Sequence, residues 1–504
     1  MTLADEMADG AGLLRAVLAG RGSEPALVCP DDGRSLSVDE LTTVVDQLAG
    51  QLHALGVRRG DRVALVLGNG PEVIELLFAV TALGAAAAPL NPTYTASEFA
   101  FFLGDLAPRL LVAAVGEGAA AREAVGSIAV ADVLVRPGEH PTLLADGEEP
   151  LRASEFEPGT PDDVALLLHT SGTTSRPKQV PLLQRNLIAS ARATASHYKL
   201  APTDVSYCAM PLFHVHGLIG STLAQLVAGG SVVTPRRFTG RGFWTQAGAH
   251  AVTWLSASPT FLQMILARSG APVETLRFVR SCSSALSPEV MERAEEGYGV
   301  PVLQAYGMTE ASHQMTSNPL PPARREPGSV GVEAGAFVRV VDDHWMDVPV
   351  GSPGEVVVAG SGVTPGYLGN EEANAASFRE GWFRTGDRGV LRHGYLYLQG
   401  RLKELIIRGG ENISPAEIDE VLLSHPAVTE AVCFGVDDEK YGQEVEAAVV
   451  LSATVTEQEL RAHCRRSLAT FKIPRKIRLV EAIPRTPTGK VQRRLVAAEF
   501  AEDA

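Results

Sequence analysis

Residues 169–180, HTSGTTSRPKQV, carry the strongest chemical signal in the sequence. They directly follow the apolar stretch 164–168, which is typical of a buried strand. Small residues let backbone N–H groups approach an anion, hydroxyls donate hydrogen bonds, and a lysine adds positive charge. The residues that supply these groups are Thr170, Ser171, Gly172, Thr173, Thr174 and Lys178. The spacing is not that of a Walker A loop, so the segment predicts another kind of phosphate-binding loop, with a polar surface loop as the alternative.

The elements around this loop follow an alternating pattern. Short β-branched runs at 63–67 and 110–114 flank a stretch, 72–83, whose apolar residues have helical spacing. This is the pattern of parallel strands joined by crossover helices. It continues to about residue 330, where short strands separated by turns replace it.

A second alternation of strands and helices begins at residue 401. We therefore predict an α/β fold: a large N-terminal domain, 1–400, of mixed parallel sheets with helices, followed by a small mobile α+β C-terminal domain, 401–504. The N-terminal domain includes a small β-rich subdomain at about 328–400. No long Gly/Ser linker separates the two domains, which indicates a short hinge near Lys403.

Composition and charge narrow the classes of function. The 504 residues carry a formal net charge of -15, which disfavours binding to nucleic acid and to anionic lipid. The five cysteines lie far apart without a CxxC pair, so we expect buried thiols rather than disulfides or a zinc site. The first residues lack the pattern of a secretory signal, and the apolar runs are too short to span a bilayer. We expect a soluble cytoplasmic protein.

The sequence resembles the adenylate-forming acyl-CoA synthetases, whose phosphate loop reads close to TSGTTGxPKG. Five further segments match the family's other signatures in the same order: QAYGMTE at 304–310, RTGD at 384–387, GRLK at 400–403, GGENISPAE at 409–417 and PTGK at 487–490. The similarity covers about residues 35–494 and looks closest to oxalate-CoA ligase-like and 4-coumarate-CoA ligase-like members. It implies that ATP and a carboxylic acid give an acyl-adenylate and pyrophosphate, after which coenzyme A takes the acyl group.

The resemblance implies a role for each segment. The loop that ends at Lys178 would hold the β- and γ-phosphates, Thr309 would hold the α-phosphate, and Glu310 would hold Mg²⁺. Tyr306 would stack on adenine, within a nucleotide-contacting set that comprises Ser283, Ser284, Ala285, Gln304, Ala305, Gly307 and Met308. Asp387 would accept hydrogen bonds from both ribose hydroxyls, and Arg401 would offer its planar fork to ribose or phosphate oxygens.

The C-terminal part would supply two alternating sets of groups. Lys490 would reach into the site during adenylation and neutralise charge on the carboxylate and the α-phosphate. Rotation about Lys403 would then withdraw Lys490 and present a loop containing Gly409, Gly410 and Glu411 at the pantetheine tunnel.

By analogy with the family, the acyl pocket would include His214, His216, Trp254, Ser258, Met308 and His313. A zinc site at the two histidines of HVH lacks a third ligand. The resemblance to oxalate-CoA ligases would require a cationic partner for a second carboxylate, and His214, His313, Arg236 and Arg237 are the candidates. The sequence leaves aryl, fatty and alicyclic acids as alternative substrates.

Two positions depart from the family's loop: Ser175 replaces a frequent Gly, and Gln179 replaces the Gly that usually follows the lysine. A positive φ at position 179 would strain Gln and alter pyrophosphate binding. The main alternative function is an adenylating enzyme of specialised (natural-product) metabolism that passes a bulky acyl group to a carrier protein or partner enzyme. A luciferase-like oxidation and a non-catalytic scaffold are weaker alternatives, and the sequence does not indicate an oligomeric state.

Overall fold

In a computed structural model of the protein, parallel sheets covered by helices form the first part of the chain. The structure describes residue 17 and residues 21–136, 139–145, 149–170, 177–268, 270–284, 286, 288–409, 411–485 and 491–501. The strands, in chain order, are β1 Pro25–Cys29, β2 Arg34–Ser37, β3 Arg62–Val66, β4 Ala86–Pro89, β5 Leu110–Ala114, β6 Ala129–Leu134, β7 Thr142–Ala145, β8 Glu149–Pro150, β9 Val164–Thr170, β10 Lys178–Leu183, β11 Val205–Cys208, β12 Ser231–Val233, β13 Trp254–Ala257, β14 Phe278–Ser281, β15 Val302–Met308, β16 His313–Ser317, β17 Val332–Glu333, β18 Phe337–Val341, β19 Gly354–Ala359, β20 Phe378–Arg379, β21 Trp382–Arg392, β22 Tyr395–Arg401, β23 Ile406–Arg408, β24 Glu411–Ile413, β25 Val428–Asp438, β26 Gly442–Leu451 and β27 Lys476–Leu479.

The α-helices of the described residues are α1 Val38–Ala54, α2 Pro71–Ala82, α3 Ala96–Leu106, α4 Ala119–Ala124, α5 Gln184–His197, α6 Ala224–Val227, α7 Gly240–Ala249, α8 Pro259–Leu266, α9 Pro288–Tyr298, α10 Glu371–Ser377, α11 Pro415–Leu423, α12 Glu457–Cys464 and α13 Arg493–Ala501. A π-helix, His216–Leu223, precedes α6, and short 3₁₀ turns cover Thr309–Ala311, Leu402–Glu404 and Thr470–Lys472. Capping boxes at Ser37 and Thr95 fix the starts of α1 and α3.

Two large sheets lie in the first 333 residues. One has the order β17-β16-β15-β14-β13-β11-β12-β1-β2 and the other β10-β9-β4-β3-β5-β6-β7-β8. Parallel pairing runs through the centre of each, from β15 to β1 and from β9 to β6, and antiparallel pairs form the edges. The central strands β3, β4, β5 and β13 are mostly apolar and buried on both faces, as covered parallel strands must be. The α/β fold predicted from the sequence is confirmed.

A smaller antiparallel sheet follows, in which β21 pairs with β19, β20 and β22. The last sheet has the order β24-β23-β26-β25, with β27 parallel to β26 and a separate apolar core around Ile406, Phe434 and Val445. Helix α11 begins at Pro415, because the preceding residues Glu411–Ile413 pair with β23 as a strand.

All five cysteines are free and buried, as the sequence predicted. No helix among the described residues is both long enough and apolar enough to cross a bilayer.

A buried charge cluster fixes the start of α2. Arg236 binds both oxygens of Glu72, at 2.7 and 2.9 Å, and also Asp32 at 2.9 Å. Arg34 binds Glu72 at 2.9 Å and the fully buried Glu75 at 2.5 Å. Three carboxylates thus share two guanidinium groups. Burial raises the pKa of Glu75 to about 8, so the most buried of the three holds a proton.

The cluster is linked to the functional site by its neighbour Asn69. The Asn69 amide donates to the carbonyl of Met210 at 3.1 Å and accepts from the backbone N–H of Leu212 at 2.9 Å. The segment held in this way leads directly to His214 and His216.

We expect Glu75→Gln to alter how stability depends on pH. A folded-state pKa of about 8, raised above the unfolded value, contributes stability at low pH that is lost as pH rises through that value. The wild-type free energy of unfolding should fall by about 1 kcal/mol between pH 7 and 9 from this group, and the variant should lack that fall. Urea unfolding at several pH values measures it. The exposed control Glu123→Gln should match the wild type, and an unchanged pH slope in Glu75→Gln would contradict the assignment.

Candidate active site

The two strands that flank the phosphate loop are joined at its base by Asp105. Thr170 ends β9, Lys178 begins β10, and His169 lies opposite Gln179 in the antiparallel pair. His169 Nε2 lies 2.9 Å from Asp105 Oδ2, and Gln179 Nε2 donates to the same oxygen at 2.6 Å and to the Asp105 carbonyl at 2.7 Å. Gln179 has ordinary strand geometry without a positive φ, so the strain considered for this position does not arise.

Glu310 is buried at the turn after β15 and faces Lys178 across Tyr367. Tyr367 Oη donates to Glu310 Oε1 at 3.0 Å, and Lys178 Nζ lies 4.4 Å from the centroid of the Tyr367 ring. The Glu310 carbonyl accepts from Thr364 N at 2.7 Å, which fixes the turn. Burial raises the pKa of the Glu310 carboxyl, since water that would solvate its charge is excluded.

Tyr306, Asp387 and Arg401 form a second group. The Tyr306 hydroxyl donates to one oxygen of the buried Asp387, and Arg401 Nε lies 2.9 Å from the other. Asp387 and Arg401 are direct partners in the pairing of β21 with β22, so the sheet register sets this contact. The Arg401 side chain is 44% exposed and keeps donors available for a ligand.

Positive charge converges on the space between these groups. Burial and the nearby ammonium group of Lys403 both lower the pKa of Lys178. Arg401 carries a third cationic group and acts electrostatically on Glu310. A site that holds like charges together in this way suits a polyanionic ligand such as a nucleotide.

A fully buried arginine, Arg280 on β14, lies behind the predicted acyl pocket. Arg280 Nη1 donates to Ser256 Oγ at 2.8 Å and lies 3.4 Å from His216 Nε2. His216 in turn lies 2.8 Å from Ser256 Oγ and, through Nδ1, 2.9 Å from Ser283 Oγ. Ser283 is exposed, so the network runs from the interior to the surface.

His313 is stacked against His216, with ring centroids 4.8 Å apart. Its Nε2 is buried without a hydrogen-bond partner, and burial beside Arg280 lowers the pKa of its imidazole well below the usual value. The residue has a φ of +104°, and two glycines make room for it. A Cβ at Gly220 would overlap the His313 ring, and a Cβ at Gly307 would overlap its carbonyl oxygen.

Two predicted acyl-pocket residues have contacts of a structural kind. Trp254 is fully buried, stacks on Phe278, and donates through Nε1 to Gln225 at 2.7 Å. Ser258 is the N-cap of α8 and accepts from the backbone of that helix. His214 lies next to Phe213 with ring centroids 4.6 Å apart, and Met308 pairs with His313 across β15 and β16.

The remaining predicted nucleotide contacts lie around the same strand ends. Gln304 and Ala305 are buried in β15, Gly307 and Thr309 are partly exposed, and Ser284 is exposed. Gly409, with a φ of +59°, and Glu411 belong to the hairpin of β23 and β24. The predicted residues that lie outside the described part of the chain are Ser171, Gly172, Thr173, Thr174, Ala285, Gly410 and Lys490.

Sequence reasoning missed three residues of this region: Asp105, Arg280 and Tyr367. Arg280 stands alone in an apolar strand, and no spacing pattern marks it. Arg236, which the sequence offered as a cation for the acyl pocket, is engaged by Glu72 and Asp32 instead. The sequence did contain one signal for Arg280, namely a charged residue inside an apolar strand. An arginine is rarely buried in a strand without a partner.

Comparisons with known proteins identify the family of the chain. Residues 14–368 match the AMP-binding enzyme family, and residues 417–490 match the AMP-binding enzyme C-terminal domain. The chain is 44% identical to an oxalate–CoA ligase of Arabidopsis thaliana over 94% of this chain and 96% of that protein. It is 39% identical to a sulfoacetate–CoA ligase of Cupriavidus necator, over 95% and 96%.

Among solved structures, ATP-bound MatB from Rhodopseudomonas palustris is 30% identical, covers 98% of this chain and 99% of its own, and has a TM-score of 0.87. Apo MatB, with the same coverage, has a TM-score of 0.75. The described fold is therefore closer to the ATP-bound form of that protein.

The chain belongs to the AMP-binding enzyme family. It is an ATP-dependent acyl-CoA synthetase, an AMP-forming acid–thiol ligase that uses ATP and CoA.

We expect Tyr367→Phe to impair the reaction with ATP. The change keeps the ring beneath Lys178 but removes the hydrogen bond to Glu310, and a bond to a charged group contributes about 1.5–3 kcal/mol. The kcat/KM for ATP, measured by pyrophosphate release, should fall about tenfold. Tyr395→Phe, which removes a hydroxyl bonded to a distant surface carbonyl, is the matched control. Equal kcat/KM in the two variants would show that Tyr367 does not support Glu310.

Proposed function

We propose that the site performs two half-reactions in sequence. In the first, the carboxylate of an acid attacks the α-phosphorus of ATP, which forms an acyl-adenylate and releases pyrophosphate. In the second, the thiol of CoA attacks the acyl carbon and AMP leaves. The observation that carries the proposal is the convergence of Lys178, Lys403 and Arg401 on one space beside the buried carboxylates Glu310 and Asp387. Their charge would neutralise the phosphates during attack.

Each group has a role that its contacts support. The loop between Thr170 and Lys178 would hold the β- and γ-phosphates, and Thr309 the α-phosphate. Glu310 fits a Mg²⁺ ligand, since it is a buried carboxylate with one oxygen bonded by Tyr367. Bound Mg²⁺ supplies charge neutralisation for phosphate oxygens.

The nucleoside would be held by the second group of residues. Tyr306 offers its ring to adenine while its hydroxyl stays on Asp387. Asp387 accepts from the ribose hydroxyls with its remaining lone pairs, and Arg401 keeps that carboxylate oriented.

Alternation between the half-reactions would depend on a division of the chain at residues 1–400 and 401–504, with the hinge at Lys403. The 3₁₀ turn Leu402–Glu404 separates β22 from the last sheet and is exposed, as a hinge requires. The different TM-scores to the ATP-bound and apo forms of MatB also support two arrangements of such a chain. Rotation would exchange Lys490 for the segment around Gly409 and Glu411.

Lys490→Ala separates the half-reactions. Loss of the ammonium group that compensates the reacting charges should slow adenylation by about 100-fold or more. Transfer of the acyl group from a preformed acyl-adenylate to CoA should stay within about threefold of the wild type, because Lys490 has left the site by then. Single-turnover assays of each half-reaction measure the two rates. An equal loss of both would refute the division of labour.

The acid itself is proposed from the relatives and from the packing of two histidines. The oxalate and sulfoacetate ligases act on short acids that carry a second anionic group. The rings of His216 and His313 are stacked, and the His313 ring lies against Gly220, so two imidazoles fill part of the predicted acyl pocket, which supports a short acyl group. We propose that this chain also acts on a short acid that carries a second anionic group.

A pyrophosphate-release screen tests the proposal. Purified protein with ATP and Mg²⁺ should respond to oxalate, malonate or sulfoacetate more than to benzoate or fatty acids. Product analysis with CoA and, separately, with a phosphopantetheine-loaded carrier protein should give the thioester of CoA. Preferred acylation of the carrier would instead favour the natural-product alternative. The absence of both pyrophosphate and an AMP ester with every acid would refute the proposed adenylation.

A further inference from the structure

Arg280 is a buried cation without a counter-ion among the described residues. Its Nε donates to Tyr198 Oη at 2.9 Å and to Gln314 Oε1 at 3.2 Å, and both partners are neutral. Nη2 has no hydrogen-bond partner, although the thiol of Cys282 lies beside the guanidinium. Burial of an uncompensated charge is strongly unfavourable, and arginine stays protonated. Such a residue is expected where a ligand brings the missing negative charge.

The hydrogen-bond network around Arg280 has a direction. A guanidinium group only donates, so Ser256 Oγ accepts from Arg280 Nη1. The Ser256 hydroxyl hydrogen is then available for His216 Nε2, which leaves the proton of the neutral imidazole on Nδ1. His216 Nδ1 donates to Ser283 Oγ at 2.9 Å. The hydroxyl hydrogen of Ser283 is thereby released for an acceptor outside the network.

Every donor in this series is therefore oriented from the interior towards Ser283. Ser283 also has an unusual backbone conformation at this end of the network. Its φ of +80° is rare for a residue with a side chain. His313 adds a second imidazole against His216, and its Nε2 is also without a partner. A neutral His313 can donate one further hydrogen bond without adding to the charge of Arg280.

We propose that Arg280, acting through Ser256, His216 and Ser283, is the receptor for the second anionic group of the acid. The group binds at the His216–Ser283 end, and the charge of Arg280 lies behind it. This inference rests on the proposed function and assigns specificity within it. A monoanionic acid of equal size would occupy the pocket without compensating Arg280, so the network selects against it.

The test compares two pairs of acids of similar size, oxalate with acetate and malonate with propionate, by pyrophosphate release. In Ser283→Ala, the ratio of kcat/KM for oxalate to kcat/KM for acetate should fall about tenfold, because only the dianionic acid loses a contact for its second anionic group. In Arg280→Met, the preference for oxalate over acetate should fall by about 100-fold or more, and Arg280→Lys should recover part of it. The exposed control Arg268→Met should leave the preference unchanged.

Ser283 lies on the surface, so its variant keeps the test valid even if the Arg280 variants fail to fold. Equal losses for dianionic and monoanionic acids in Ser283→Ala would overturn the receptor. A wild-type enzyme that prefers acetate and propionate would also overturn it while leaving adenylation intact. A wild type that releases no pyrophosphate with any acid would instead refute the proposed function.

Discussion

The pairing of β21 with β22 places Asp387 opposite Arg401, and the proposed nucleotide site depends on that register. Asp387 also accepts from Tyr306, so the same carboxylate joins the antiparallel sheet to the end of β15 in the nine-stranded sheet. Glu310 follows on that strand and faces Lys178, whose strand β10 belongs to the eight-stranded sheet. Three sheets thus meet at one point, and a slip of one residue in β22 would remove the contact that aligns them.

Electrostatics explains why these groups are kept together although the chain as a whole is acidic. The formal net charge of -15 repels anionic substrates at long range, so recognition must come from local charge. In the proposed site, Lys178, Lys403 and Arg401 would provide this charge for the phosphates, and Arg280 would provide it in the interior. Local positive charge in a water-poor site acts far more strongly than the same charge on the surface.

The sequence predicted the parts of the site that lie in contiguous segments. The loop up to Lys178 and the segments around Glu310, Asp387 and Arg401 each contain several chemical groups at short spacing, and their resemblance to a family placed them together. Arg280 and Tyr367 were not predicted, because each acquires its role only from neighbours distant in the chain. Trp254 is a residue that the sequence did place in the acyl pocket. In the structure its ring stacks on Phe278 in an aromatic core, a contact that its position in the sequence did not indicate.

Gln179 shows how one local departure is accommodated. The family usually has glycine there, and the sequence raised the question of backbone strain. The structure places the residue in β10, where its amide joins His169 on Asp105. A side chain that looked unfavourable in isolation thus stabilises the base of the loop.

The close fit of Gly220 and Gly307 around His313 has a consequence for how such an enzyme could change its substrate. A side chain at Gly220 would overlap the His313 ring, so a replacement there requires a smaller residue at position 313. New acid preferences would therefore arise through paired replacements on the π-helix and on β16. Divergence within such a lineage should leave a record of correlated changes at positions 220 and 313.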